Sequence, residues 1–195
     1  KAGSEGSSRS TVMMIQRKAT SFVFLILLTS MPVVGAFGSD VAISGSADFI
    51  NQVSQALALL KEKTPEAYRM VTNYIGRIEQ GEHSGMWAYK VPPTYEIADR
   101  TAFYSVTWCA GSIAHDAFHS KLYHDYKGKR PGSVPDKAWT GDDAERKSLE
   151  YQREVLRAIN APKHELDYLS ALSGTHHDVS RDGKYDWDDH KSRNW

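Results

Sequence analysis

The sequence has one cysteine in 195 residues, so no disulfide within the chain can hold it together, and a disulfide-stapled scaffold is excluded. It has no excess charge of either sign: 24 basic and 24 acidic side chains give a formal net charge of zero. The strongly basic surface that grips a nucleic-acid backbone is missing, and nucleic acid is not an expected partner. Glycine (14) and proline (7) are too sparse and too aperiodic for a collagen-like or low-complexity chain. There is no internal repeat. The longest strong apolar run, Phe22 to Leu28, is seven residues, against roughly 18–20 for a membrane span.

What is present is enough apolar material, 41% of residues, for one packed core. Residues 1–12 are small and polar, and Met13 or Met14 is the expected start of translation. Arg17 and Lys18, the short run Phe22–Leu28 and the small-residue site Val34-Gly35-Ala36 then have the three-part pattern of a cleaved signal peptide. Loss of residues 1–36 takes Lys1, Arg9, Arg17 and Lys18 but only Glu5, leaving 20 basic and 23 acidic side chains and a net charge of −3. The expectation is a secreted or periplasmic protein, free of the membrane after cleavage. Cys109 lies in an apolar stretch and reads as a small core residue.

Hydrophobic periodicity organises the remainder. Ser46–Lys61 reads as an amphipathic helix on Phe49, Ile50, Val53, Leu57 and Leu60. Pro65 opens a second, expected to continue through Tyr74, Ile75 and Ile78 to Gly81. Residues 86–91 alternate like a strand, and Thr94–Ala98 is a second strand candidate. A long apolar-rich helix is expected from Thr101 to about Tyr126, a loop over 127–139, a helix from Asp142 to Ile159 and a short one ending near Leu172.

The long helix carries His115-Asp116-Ala117-Phe118-His119. Histidines four apart lie one turn above the other on one helix face, so both imidazoles can reach one metal ion. On the next helix Glu145, Leu149, Gln152, Leu156 and Ile159 share a mainly apolar face, which points Glu145 where a carboxylate needs a cation. Glu145 also suits the first turn of a helix by charge alone. His115, His119 and Glu145 are the expected zinc ligands. Asp125, six residues after His119, competes as a third ligand, but Leu122 stands where that alternative needs a glycine to turn the helix.

The stretch TWCAGSIAHDAFHSKLY with the later WTGDDAERKSLEYQ resembles small zinc metallopeptidases of the gluzincin type, over roughly residues 86–160. The resemblance implies a zincin-like fold, zinc on His115, His119 and Glu145, and a peptide or protein substrate. Asp116 falls where that family has its catalytic glutamate, one methylene shorter. It is the expected general base, with reduced reach toward the water it would activate. Tyr89, Tyr123, His176 and His177 are undistinguished candidates for stabilising the oxyanion.

Near the C-terminus, residues 178–189 match the twelve-position EF-hand loop. Asp178, Ser180 and Asp182 take positions 1, 3 and 5, with Gly183 at the turn. Lys184 offers its carbonyl, Asp186 takes position 9, and Asp189 closes the loop in place of glutamate. The loop resembles those of dockerin-like extracellular calcium proteins and implies a bound Ca2+ that orders the tail.

The sequence therefore predicts an α+β, mostly helical, zincin-like fold with a small β-sheet and an active-site helix. Residues 1–36 are a leader and signal peptide, 37–172 the domain and 173–195 a calcium-binding tail. The expected function is zinc-dependent hydrolysis, of peptides first. The alternative is a non-catalytic secreted calcium-binding or adhesion protein with a degenerate metal site. Nothing in the sequence sets an oligomeric state.

Overall fold

A computed structural model describes residues 41–174; the leader and the calcium-loop residues lie outside them. The described chain is α+β and mostly helical. It runs β1 (Ala42–Ser44), α1 (Ala47–Lys63), α2 (Pro65–Tyr74), β2 (Arg77–Gly81), β3 (Gly85–Trp87), β4 (Thr94–Ala98), α3 (Asp99–Ala102), α4 (Val106–Lys129), a 3-10 turn (Asp136–Ala138), α5 (Asp142–Ala158) and α6 (Lys163–Ala171). No helix among these residues is long and apolar enough to cross a membrane.

Local chemistry sets the helix ends. Ser46 caps α1 by accepting from the Phe49 amide at 3.2 Å, and Phe49, Val53, Ala56 and Leu60 are its buried stripe. Pro65 begins α2, where a missing N–H costs nothing. The second helix is shorter than the periodicity predicts: it stops at Tyr74, and Arg77–Gly81 is a strand. Gly76 explains the change. A Cβ there would stand 2.4 Å from Pro92, and the Gly76 and Arg77 amides both donate to the Pro93 carbonyl. Sheet pairing takes the segment, and Ile75 and Ile78 reach the core from extended backbone.

The sheet has the order β1-β2-β4-β3. β2 lies parallel to β1 and β4, and β3 is an antiparallel edge with Met86 opposite Tyr95. The strand expected over 86–91 ends at Trp87 and turns, through a Lys90 amide bond to the Trp87 carbonyl. Two prolines follow that cannot donate to a ladder, and Val91 is 93% exposed.

α4 is the central element. Trp108 through His115 are all buried, against α1, α2 and α5. Full burial of Ile113, Leu149 and Leu156 stabilises by about 1.5–3 kcal/mol each. The helix extends to Lys129, three residues past the expected end. Ser105 caps its start, accepting from the Trp108 amide at 2.8 Å, which separates α4 from the short α3. The first turn of α4 holds no acidic residue. Glu165 of α6, 1% exposed, supplies the charge that the helix dipole favours there. It accepts from Ser105 Oγ at 2.6 Å and Thr107 Oγ1 at 2.8 Å.

Candidate metal centre

His115 and His119 project from one face of α4 toward the first turn of α5, which carries Glu145. The three side chains meet. His119 Nε2 is 3.0 Å from His115 Nε2 and 3.2 Å from Glu145 Oε2, and His115 Nε2 is 3.6 Å from Glu145 Oε1. Exposure is 5%, 6% and 4% for His115, His119 and Glu145. The Glu145 face is apolar through Leu149 and Leu156, as its spacing requires, and Gly111 lets α5 approach. A Cβ at Gly111 would stand 2.7 Å from Leu156 Cδ2.

These residues form a group that can hold a metal ion. A tetrahedral zinc with bonds of about 2.0–2.1 Å has donor–donor edges of roughly 3.3 Å. The observed edges of 3.0, 3.2 and 3.6 Å bracket that value. The donor chemistry agrees. His119 Nδ1 lies 2.5 Å from the Trp139 carbonyl, an acceptor, so Nδ1 carries the proton and Nε2 presents a lone pair. That lone pair faces a carboxylate and a second imidazole nitrogen. Acceptors converging in a dry site repel unless a cation sits between them. Glu145 Oε1 is, in addition, buried without a hydrogen-bond partner.

A proton plays the cation's part in the metal-free protein. Burial acts to raise the Glu145 carboxyl, but His115 and His119 outweigh it and hold the group well below its ordinary range. Burial likewise opposes charge on His119. Its bond to Glu145, the nearby carboxylates and the Trp139 carbonyl overcome this and raise it.

Asp116 is half-buried on the same helix and close enough to feel all three residues. Desolvation raises its carboxyl, with Glu145 adding and the two histidines and Tyr95 opposing. Tyr95, fully buried on β4, places its hydroxyl 2.5 Å from Ser112 Oγ and also engages Asp116. Periodicity gives no hint of this Tyr95–Ser112–Asp116 group, because it joins a strand to a helix across the core. The Trp139 carbonyl is a backbone atom with no signature in the sequence at all.

Asp125 is not brought to the cluster; it pairs with Lys121. Tyr89 is 54% exposed on the turn after β3, and Tyr123 packs edge-to-face on Trp139 at 5.4 Å. His176, His177 and the calcium-loop residues lie outside the described chain. No protein-family profile, curated protein or solved structure matches this chain.

Proposed function

We propose that the protein is an exported zinc-dependent hydrolase acting on peptides, with zinc on His115, His119 and Glu145 and Asp116 as general base. The convergence of two imidazole nitrogens and one carboxylate at 3.0–3.6 Å, in a buried pocket with the His119 tautomer fixed, carries this reading. Two histidines and one glutamate are a ligand set of hydrolytic zinc sites, which keep a fourth position for water or substrate. Zinc there supplies Lewis-acid activation of a water molecule and of the scissile carbonyl. The chain's own residues do the rest. Trp139 keeps His119 in the metal-binding tautomer. Tyr95, itself bonded to Ser112, engages Asp116 beside the cluster, where Asp116 takes a proton from the attacking water and returns it to the leaving amine. The zincin-like assignment, the signal peptide and a Ca2+ ion in loop 178–189 belong to the same reading.

The depth of all three ligand side chains favours a second reading, in which the metal is structural and Asp116 marks a site that no longer turns over. Two measurements on the full chain separate them. About one zinc per chain is expected, lost when His115→Ala and His119→Ala are combined; zinc retained by that variant refutes the site. Zinc-loaded wild type is expected to cleave unstructured peptides weakly, and Asp116→Asn to abolish cleavage while keeping zinc. Cleavage by Asp116→Asn at the wild-type rate removes Asp116 from the reaction. No cleavage by wild type or by Asp116→Glu across a broad peptide library favours the structural metal.

A further inference from the structure

Glu145 is the first of a column of polar side chains on α5. Ser148 and Gln152 follow at three and seven residues, on the same helix face. They are 0% and 1% exposed, yet Ser148 Oγ and Gln152 Nε2 have no hydrogen-bond partner among the described residues. On the facing helix His115 Nδ1 is buried in the same condition. Three orphaned polar atoms in one helix–helix seam are uncommon, since buried polar groups are nearly always paired.

The register brings the three to one level. Gly111 of α4 meets Gln152 and Leu156, whereas His115 and His119 meet Glu145. Moving up α4 therefore moves down α5, and the helices are antiparallel. One turn from Gly111 reaches His115, and one turn back from Gln152 reaches Ser148. Ser148 and Gln152 bracket His115.

We infer that Ser148 and Gln152 are positioning residues for the metal centre: they engage the Nδ1 edge of His115 through one buried water, and hold its ring with Nε2 on Glu145 and His119. The inference rests on the zinc reading. An imidazole that gives its Nε2 lone pair to a metal keeps its proton on Nδ1 and must donate it. The Gln152 amide nitrogen can also only donate, and the Ser148 hydroxyl can accept. One water that accepts from His115 and Gln152 and donates to Ser148 satisfies all three atoms, the usual work of a buried water. His115 then has from α5 what His119 has from the Trp139 carbonyl.

A purely structural role predicts the opposite of a metal role. A 0% exposed hydroxyl held only through a bridging water contributes little to the metal-free fold, so Ser148→Ala should change its melting temperature little. Gln152→Met, which conserves volume, should behave alike. Both variants are expected to bind zinc about 10–100-fold more weakly in competition with a chromophoric chelator, the usual cost of losing a group that orients a ligand. Both are also expected to shift the visible absorption band of the cobalt-substituted protein. Zinc affinity within about twofold of wild type in both variants overturns the inference and leaves the metal site standing. A loss of affinity matched by an equal loss of metal-free stability also overturns it, because the two residues are then packing groups. Wild type that takes up no zinc fails the zinc reading itself and this inference with it.

Discussion

Gly141 closes the turn that aims the Trp139 carbonyl at His119, and its replacement by alanine tests how rigidly that turn is held. Its backbone angles, φ −75° and ψ 171°, are open to any residue, so alanine meets no conformational penalty. It meets Lys137. A methyl group at 141 would stand 2.8 Å from the Lys137 carbonyl oxygen, 3.1 Å from Cα and 3.3 Å from the carbonyl carbon. These are backbone atoms, and they cannot rotate aside. The turn is tied by amide bonds from Ala138 to Pro135 and from Trp139 and Thr140 to Asp136, and by Thr140 Oγ1 to the Asp136 carbonyl at 2.9 Å. Losing glycine's freedom in the unfolded chain favours the variant by about 0.4–1 kcal/mol. Overpacking a tight contact costs about 1–3 kcal/mol, so at the middle of that range the clash wins by about 1–1.6 kcal/mol. At about 2–4 °C per kcal/mol for a chain of this size, the melting temperature should fall by about 2–6 °C. The displaced turn also withdraws the Trp139 carbonyl, and zinc affinity should fall by about 10–100-fold. Gly128→Ala is the matched control. It lies in the exposed last turn of α4 with nothing inside 4 Å of its Cβ, so alanine should add at most about 0.8–1.0 kcal/mol of helix propensity and raise the melting temperature slightly. Thermal melts and chelator competition read both quantities. A Gly141→Ala protein as stable as wild type, with unchanged zinc affinity, would refute the claim that this turn orients His119.

Two further outcomes follow from buried groups. Burial pushes the Cys109 thiol up to about 12, so the native protein should not react with a thiol reagent at neutral pH and should react once denatured; rapid native labelling would show that the α4 core opens. In the metal-free protein the Glu145 contribution to stability is complete above its ordinary value of 4.5 and fades as pH falls through its lowered pKa. The His119 contribution is complete below 6.5 and fades as pH rises through its raised pKa. Zinc has the opposite preference, needing both imidazoles unprotonated. The gap in melting temperature between zinc-loaded and metal-free protein should therefore widen as pH rises above the ordinary histidine value of 6.5, and a constant gap would contradict the shared His119–Glu145 proton.

The sequence carried the helices and the meeting of the three candidate ligands, because both depend on a period. His115 and His119 are one turn apart, and Glu145 lies on a face that Leu149 and Leu156 oblige to turn inward. Of the sheet it carried β4, at Thr94–Ala98, and part of β3, but neither β1 nor β2. β1 is three residues long, and β2 reads as helix because Ile75 and Ile78 satisfy a spacing of three while Gly76 acts through Pro92, sixteen residues away. The surroundings of the site were equally hidden. Tyr95 reaches Ser112 and Asp116 across the core, and the Trp139 carbonyl acts as an atom rather than as a side chain. Gln152 was visible on the Glu145 face, but only the register against Gly111 shows what it adjoins.

The carboxylate of Glu165 at the start of α4 bears on how small the protein can be made. A chain ending at Ile159 would contain His115, Asp116, His119 and Glu145, everything the proposed chemistry names. It would lack the group that receives the Ser105 and Thr107 hydroxyls. The helix presenting both histidines would then begin in an uncompensated first turn, with Trp108, 3% exposed, newly open to water where Tyr168 had packed edge-to-face on it at 5.6 Å. Transplanting the site to another scaffold, or trimming it to a minimal peptide, has to carry α6 along or build a substitute carboxylate at that helix end.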